Sequence, residues 1–227
     1  MTCGFPRRGL LTGLALLAAF VLWTGLIQLV DVQPVGQNGT NVGFAAFNVW
    51  FHGITGMHMG IYTVTDWLGL APIAVCLCFG VLGAVQLIRR RSLFRVDVDL
   101  LLLGVYYIVV ILCYLVFEMV PINYRPIPID GIMEASYPSS TTLLVLSVMP
   151  TLKFQVDRRA KSSAVRGATG AFVVAFSTLM VLGRLVAGVH WATDIVGGVL
   201  LAAGLFALYA SAVALTDPMR AEPRTEG

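Results

Sequence analysis

The chain has 227 residues, of which 58% are hydrophobic and only 12% are charged, and its mean hydropathy is +0.85. This small number of polar side chains cannot cover the surface of a water-soluble domain. The composition therefore excludes that class and indicates an integral membrane protein. The formal net charge of +3 needs no nucleic-acid partner to explain it.

Six apolar stretches are long enough to cross a bilayer, which takes about 20 helical residues. They cover residues 9–30, 67–88, 100–120, 138–156, 167–185 and 195–215. The predicted fold class is therefore all-α, a polytopic bundle of six transmembrane helices in one domain, residues 1–216. Residues 217–227 are polar and are expected to form a disordered cytoplasmic tail. The first stretch lacks a convincing cleavage site and is predicted to be a retained anchor.

The basic residues predict the orientation of this bundle. Thirteen of the fifteen fall on one side of it: Arg7, Arg8, Arg89, Arg90, Arg91, Arg95, Lys153, Arg158, Arg159, Lys161, Arg166, Arg220 and Arg224. The positive-inside rule makes that side cytoplasmic, together with both termini. The other two, Arg125 and Arg184, fall on the outer side, where the rule disfavours cations. Their presence there indicates that the outer face binds an anion.

The loop between the first two stretches carries Phe44, Phe47, Phe51 and Ile54 at helical spacing. This pattern predicts a short amphipathic helix in the membrane interface. We favour a lid packed on the bundle over a partner-binding helix. His52 and His58 also fall in this loop. No set of His or Cys has metal-ligand spacing, so no metal site or cofactor is predicted.

The start of the fourth stretch reads Pro138-Ser139-Ser140-Thr141. A proline followed by hydroxyl side chains is typical of a capped helix start, with a serine oxygen accepting from free backbone N–H groups. The same N–H groups and the hydroxyls of Ser139, Ser140 and Thr141 can alternatively form a cradle for an anion.

A cation, a histidine and a carboxylate precede the last stretch, in the order Arg184, five residues, His190, three residues, Asp194. In a helix, residues four apart share a face, so the carboxylate can hold the imidazole Nδ1–H while Nε2 acts as nucleophile or base. Arg184 can grip an anion. Singly, Asp194 could be only a helix cap, Arg184 a contact to lipid headgroups, and His190 an interfacial anchor.

Together these residues resemble the phosphatidic acid phosphatase type 2 superfamily, the lipid phosphate phosphatases that share their site with vanadium haloperoxidases. That family's signature is Lys, six residues, Arg-Pro; then Pro-Ser-Gly-His; then Ser-Arg, five residues, His, three residues, Asp. The Arg-Pro pair corresponds to Arg125-Pro126, and the third motif to Arg184, His190 and Asp194. Motif order, six spans and outer-face position all agree with the resemblance.

The chain departs from the signature at four positions. Glu118 stands at the position of the phosphate-binding Lys, and Gly183 at that of the Ser in the third motif. In the second motif the Pro-Ser pair at 138–139 is kept, but Ser140 replaces Gly and Thr141 replaces His. The resemblance implies that this His is a general acid, and a threonine cannot take that role near neutral pH.

The resemblance also implies the course of a reaction. Arg125 and Arg184 would bind the phosphoryl oxygens, with Ser139 and nearby N–H groups completing the cradle. His190 would attack phosphorus and form a phosphohistidine, and Asp194 would orient the ring and stabilise its charge. Water would then hydrolyse the intermediate, without a metal.

Loss of the general acid leads to two hypotheses. First, the site favours a diphosphate, such as a polyprenyl diphosphate, because its departing phosphate is already a stable anion. Second, Glu118 has a raised pKa at the membrane edge and serves as the acid in place of Thr141. Glu134 or His58 are alternatives to Glu118.

The predicted function is therefore that of a membrane phosphatase acting on a lipid phosphate or polyprenyl diphosphate at the extracytoplasmic face. Its predicted partners are a phosphorylated lipid substrate and the bilayer, with no nucleic acid, and the oligomeric state is left open. The alternative is a catalytically impaired member that binds phosphorylated lipid or serves as a membrane scaffold. The intact Arg184, His190 and Asp194 favour the enzyme.

Overall fold

The computed structural model describes residues 4–216, which contain eight α-helices. In chain order these are α1 (Gly4–Leu29), α2 (Ala45–Thr55), α3 (Met59–Leu68), α4 (Leu70–Arg90), α5 (Val98–Met119), α6 (Ser140–Arg159), α7 (Ser163–Val186) and α8 (Ala192–Thr216). The predicted all-α class is confirmed. The predicted tail, residues 217–227, lies outside the described residues.

Five segments are long and apolar enough to cross a membrane: Arg7–Leu29, Met59–Arg90, Val98–Met119, Ser163–Val186 and Ala192–Thr216. The predicted fourth span, α6, has 20 residues but is not among them, because its hydroxyl, amide and charged side chains make it too polar. Three of those polar side chains, Ser147, Thr151 and Gln155, are fully buried inside the bundle. The number of six membrane-spanning helices stays a prediction.

The predicted second span, residues 67–88, corresponds to α4 and the last two residues of α3, and the two helices meet at Gly69. Pro72, in the first turn of α4, has no N–H to bond to the carbonyl of Leu68, so the series of helical hydrogen bonds is interrupted at this junction. Helix α3 packs against α7. As a result Asp66, in the last turn of α3, reaches the end of α7.

Helix α8 lies at the centre and contacts α1, α5, α6 and α7. Small residues allow the tight packing of α1 on α8: a Cβ atom at Gly204 would lie 2.8 Å from Leu17, and one at Gly13 would lie 2.7 Å from Leu208. Near the start of α8, Trp23 Nε1 donates to the Thr193 carbonyl at 3.1 Å. These contacts fix the position from which Asp194 projects.

The amphipathic segment in the first loop is helical, as predicted, and forms α2. It is held to the bundle by two polar contacts, one from Asn48 Nδ2 to Thr193 Oγ1 at 3.0 Å and one from His52 Nε2 to the Gly188 carbonyl at 3.1 Å. Its apolar outer side leaves Trp50 exposed. Helix α2 therefore packs on the loop between α7 and α8, as expected of a lid on the bundle.

Ion pairs gather at one end of the bundle. Arg90 pairs with Asp97 at 2.9 Å, and the buried Asp99 carboxylate pairs with Arg159 at 2.9 Å and Arg158 at 3.2 Å. The ends of α5, α6, α7 and α8 that carry the motif residues lie at the opposite end. Arg125 and Arg184 are thus separated from the other basic side chains, as their sequence positions indicate.

Candidate active site

The segment between α5 and α6 folds into a short irregular β-hairpin, although the sequence patterns predict only a loop there. Two antiparallel bridges join its arms. Arg125 N donates to the Glu134 carbonyl at 3.1 Å, and Ser136 N donates to the Asn123 carbonyl at 3.0 Å. The hairpin therefore holds these four side chains together, immediately before α6 begins.

The third motif divides between two helices and the loop that joins them. Arg184 lies in the last turn of α7 and Asp194 in the first turn of α8, while His190 precedes α8. All three are almost completely buried, at 2%, 0% and 3% exposure. Asp194 is the third residue of α8, so it is not the N-cap that the sequence offered as an alternative. Its carboxylate instead reaches back and accepts a hydrogen bond from Trp191 N at 3.0 Å, as a third-position side chain does in a capping box.

His190 and Asp194 are joined through a third residue, whereas the sequence predicts a direct contact. Ser136 Oγ lies 3.1 Å from His190 Nδ1 and 2.5 Å from Asp194 Oδ2. The other carboxylate oxygen of Asp194 accepts from Asn123 Nδ2 at 3.0 Å. The difference arises because His190 lies outside α8, so its ring does not share a helical face with Asp194.

Each of the two arginines at this end is bound to a carboxylate. Arg125 Nη2 lies 3.0 Å from Glu134 Oε2, and Arg184 Nη2 lies 3.0 Å from Asp66 Oδ1. Arg184 Nη2 also donates to Thr141 Oγ1 at 2.5 Å. Thr141, which stands at the position of the family histidine, therefore contacts one of the predicted phosphate-binding cations directly.

Several buried nitrogens of this cluster have no hydrogen-bond partner within residues 4–216. They are Nε and Nη1 of Arg125, Nε and Nη1 of Arg184, and Nε2 of His190. A buried donor without a partner costs about 1–3 kcal/mol, more for a charged group. An anion such as a phosphoryl group would provide acceptors for four of these N–H groups and an electrophile for Nε2.

The electrostatics of the cluster keep the imidazole uncharged. Burial lowers the pKa of His190 well below its ordinary value of 6.5, and the positive charges of Arg125 and Arg184 lower it further. Contacts connect the three groups. Ser136, which bonds His190, lies two residues after Glu134, the partner of Arg125. Thr141, which bonds Arg184, lies two residues after Ser139, whose N bonds the Asp194 carbonyl. A neutral imidazole beside two guanidinium groups is suited to nucleophilic attack on a bound phosphoryl group.

The hydroxyl residues that start α6 take different positions. Ser139 is fully buried and caps α6, since its Oγ accepts from Thr142 N at 3.5 Å, while its own N donates to the Asp194 carbonyl at 3.2 Å. Ser140 lies at the rim of a small cleft with Glu118. Ser139 thus fulfils the capping alternative, and among the three Thr141 makes the contact to an arginine.

Glu118 lies apart from the buried cluster. It is an exposed residue in the last turn of α5 and makes no hydrogen bond or ion pair within residues 4–216. Of the two alternative acids, Glu134 binds Arg125, whereas the His58 ring bonds the Thr55 carbonyl at 2.8 Å. Among the three candidates, Glu134 is therefore nearest to a predicted phosphate-binding side chain.

Gly183, at the position of the family serine, allows α3 to approach α7. A Cβ atom at Gly183 would lie 2.7 Å from Thr65 Cγ2, which is closer than side chains tolerate. The glycine thus permits the contact that brings Asp66 to Arg184. No three potential metal ligands of the His, Cys, Asp or Glu type lie together among residues 4–216.

Asn123, Ser136 and Asp66 contact the site residues but were not among those expected from the sequence. A signal for the first two was present, because Asp130-Gly131 is a typical type I′ hairpin turn, and both residues have the required positive φ, 48° and 78°. This turn predicts that the two arms of a hairpin pair, which would place Asn123 close to Ser136. Asp66 gives no local signal, since its contact depends on the packing of α3 against α7.

A cavity of about 790 Å³ lies between α4, α5 and α6. Most of its wall is apolar, with Leu77, Ile111 and Val148 among the lining side chains. At one end it reaches Ser140 and Thr141, and Thr141 contacts Arg184. This apolar cavity ends at the polar cluster, and it is named here the α4–α6 groove.

Comparison with known proteins finds no matching protein-family model and no matching curated protein. Among solved structures, the chain is similar to a transmembrane PAP2 type phosphatidylglycerolphosphate phosphatase from Bacillus subtilis. The TM-score is 0.65 at 17% sequence identity, over 95% of this chain and 99% of that one. The chain therefore shares the fold of that structure, and the PAP2 type named for that protein is the family that the sequence motifs resemble.

Proposed function

We propose that the protein is a membrane phosphatase that removes a phosphoryl group from a phosphorylated lipid through a phosphohistidine at His190. The observation that carries this proposal is the buried cluster itself. Two guanidinium groups with unpartnered N–H donors lie beside a neutral imidazole whose Nε2 is also unpartnered. This combination provides both a phosphate grip and a nucleophile.

In the proposed reaction Arg125 and Arg184 bind the phosphoryl oxygens, and the lone pair of His190 Nε2 forms a bond to phosphorus. The bond from phosphorus to the leaving oxygen breaks, and that oxygen keeps the electron pair. Water then attacks phosphorus, the P–N bond breaks, and the electron pair returns to Nε2 while the water proton leaves with solvent or product. Both arginines stabilise the charge that develops on the transferred group.

The family's general acid is replaced by Thr141, so the leaving group is expected to decide the rate. A general acid is worth about 10²- to 10⁴-fold in rate for a leaving group that needs its proton. A lipid alkoxide needs that proton, whereas the phosphate leaving a diphosphate does not. We therefore propose a polyprenyl diphosphate or similar lipid diphosphate as the preferred substrate.

A substrate comparison tests this function. Purified full-length protein in detergent with a chelator is given polyprenyl diphosphate, phosphatidate and lysophosphatidate, and released phosphate is measured. We expect kcat/KM for the diphosphate to exceed that for either monophosphate by roughly tenfold or more, because only the monophosphates require the missing acid. Equal turnover of all three would contradict the leaving-group argument, and no turnover of any would contradict the phosphatase itself.

Helix ends at the site and the α4–α6 groove both support an amphiphilic substrate. The groove is apolar along its length and polar where it reaches Thr141. A lipid with its hydrocarbon chain in the groove would present its phosphate to Arg184. We further propose six membrane-spanning helices with both termini in the cytoplasm, and a site that faces the extracytoplasmic side, because the other basic residues gather at the far end.

Filling the groove should weaken binding of long hydrocarbon chains. Gly80 lines the groove, and a Cβ atom there meets nothing within 4 Å, so Gly80→Phe places a ring where the chain would lie. Loss of about two buried methylenes, at about 0.8 kcal/mol each, corresponds to a KM roughly tenfold higher for long-chain substrates. A short-chain analogue should show little change.

Gly83 provides a matched control for this variant. It lies in the same helix, its Cβ position is equally open, and it does not line the groove. We expect Gly83→Phe to leave the KM of both substrates within about twofold of the unsubstituted protein. If both glycine variants raise KM equally, the groove is not the binding site of the chain.

One alternative function has a specific observation in its favour. Thr141 stands at the position of the family's general acid, and each arginine is paired with a carboxylate. A cluster without the acid can bind a phosphorylated lipid and fail to turn it over. This version predicts retention of radiolabelled lipid phosphate by the protein, with no release and no acid-labile phosphoprotein. The substrate comparison above distinguishes the two functions, because a phosphatase releases phosphate into the reaction mixture and a lipid-binding protein does not.

A further inference from the structure

Ser136 lies between the proposed nucleophile and its carboxylate. It is 2% exposed, and its hydroxyl oxygen is 3.1 Å from His190 Nδ1 and 2.5 Å from Asp194 Oδ2. No motif of the sequence includes this serine. Its position is fixed by the hairpin, since Ser136 N donates to the Asn123 carbonyl at 3.0 Å.

The hydrogen bonds determine which atom carries each proton. Both oxygens of the Asp194 carboxylate accept from N–H donors, Oδ1 from Asn123 Nδ2 and Oδ2 from Trp191 N, each at 3.0 Å, so neither is left to donate. The Ser136 hydroxyl has a single proton, which it therefore donates to Oδ2. Its oxygen can then only accept from the ring, so His190 Nδ1 must carry hydrogen and Nε2 must be the nitrogen with the free lone pair.

We infer that Ser136 is a positioning residue that sets the tautomer of His190 and connects its ring to Asp194. The hydroxyl does not touch the reacting phosphorus and acts through the imidazole. The effect of Ser136 on the His190 tautomer does not depend on what the protein does, whereas its effect on catalysis rests on the proposed phosphatase function. The positive charge that forms on the ring is stabilised by Asp194 through this hydroxyl.

The hairpin also connects Ser136 to the phosphate grip. Asn123 binds Asp194 and receives the backbone bond of Ser136, while Arg125 lies two residues further along the same arm. The hairpin that carries Arg125 therefore also holds Ser136, which contacts His190, and Asn123, which contacts Asp194. A displacement of the hairpin would disturb the cation and the tautomer together.

Nitrogen NMR on the full-length protein labelled with ¹⁵N-histidine tests the inference. The chain has three histidines, so His52→Gln and His58→Gln variants suffice to assign the signals. We expect His190 Nδ1 to show a protonated shift and Nε2 an unprotonated one. In Ser136→Ala the two shifts should move towards each other as both tautomers become populated. Ser136→Thr, which keeps the hydroxyl, should restore the original pair.

Ser147→Ala is the matched control, because Ser147 is another fully buried serine whose hydroxyl has no partner within residues 4–216. It should leave the His190 shifts unchanged. A protonated Nε2 in the unsubstituted protein would overturn the inference, even if Ser136→Ala failed to fold. An unchanged tautomer in folded Ser136→Ala would also overturn it, since the hydroxyl would then not be what holds the ring.

Kinetics provide a second readout. If lipid phosphate is turned over, Ser136→Ala should lower kcat by roughly 10- to 100-fold, with KM changed by less than about threefold, and Ser136→Thr should recover most of the loss. A fall in kcat without recovery by threonine contradicts the positioning role. If no lipid is turned over, the nitrogen shifts still decide the tautomer, so failure of the proposed function is distinguishable from failure of this inference.

Discussion

Replacement of His190 by alanine is expected to lower phosphate release by on the order of 10⁴-fold or more, because the site loses the proposed nucleophile. The ring is buried at 3% exposure, and its Nε2 has no partner within residues 4–216. Rapid quenching with labelled substrate measures the intermediate directly. The unsubstituted protein should yield an acid-labile, alkali-stable phosphoprotein, and His190→Ala should yield none.

His58→Gln is the control for this experiment, because the His58 ring bonds the Thr55 carbonyl at 2.8 Å and lies outside the buried cluster. It should keep phosphate release within about threefold of the unsubstituted protein. A His190→Ala protein that is folded and still releases phosphate at a normal rate would exclude the phosphohistidine. A large loss in His58→Gln would instead support His58 as the replacement acid.

Replacement of Arg184 by lysine is expected to lower kcat/KM by roughly 10²- to 10³-fold, although the charge is kept. Arg184 uses one nitrogen for Asp66 and Thr141 and has two further N–H-bearing nitrogens for an anion. A lysine has one nitrogen and cannot make both sets of contacts. Steady-state kinetics with the preferred substrate measure the loss, and circular dichroism checks the fold.

Arg166→Lys is the matched control on the same helix. Arg166 lies at the start of α7, where its side chain bonds the backbone carbonyls of Ala160 and Lys161 at 3.1 and 3.2 Å. We expect activity within about twofold of the unsubstituted protein, because a surface contact of this kind contributes little. Equal losses in both variants would indicate a general effect on α7 and would count against a phosphate grip at Arg184.

Helices were the most predictable part of this protein. Runs of apolar residues need only local sequence to be recognised, and the predicted stretches at 100–120 and 195–215 correspond closely to α5 and α8. The break between α3 and α4 is less visible, because Pro72 and Gly69 interrupt a stretch that is otherwise uniformly apolar. Hydropathy also cannot show that α6 buries polar side chains inside the bundle, since that depends on the helices packed around it.

The site was predictable where a motif keeps a fixed spacing. Arg184, His190 and Asp194 were chosen by their spacing, and all three are buried where α7 ends and α8 begins, while their roles stay a prediction. Ser136 and Asp66 could not be found in this way, because each reaches the cluster through tertiary contacts, one by the pairing of hairpin arms and the other by the approach of α3 to α7. Asp194 was considered as an N-cap of the last helix, but it is the third residue of α8, and its carboxylate bonds both Trp191 N and Ser136 Oγ.

The carboxylates of Glu134 and Asp66 give the resting site a charge balance of its own. Each neutralises one arginine, so neither guanidinium depends on substrate to offset its burial. In the proposed reaction phosphate binds the other nitrogens of Arg125 and Arg184, so each guanidinium then lies between two oxyanions while its carboxylate stays in place. The positive charge of each arginine is shared between those two partners. Inorganic phosphate is therefore held less tightly than it would be by an unpaired arginine, and its release is eased by contacts that the protein keeps throughout the turnover.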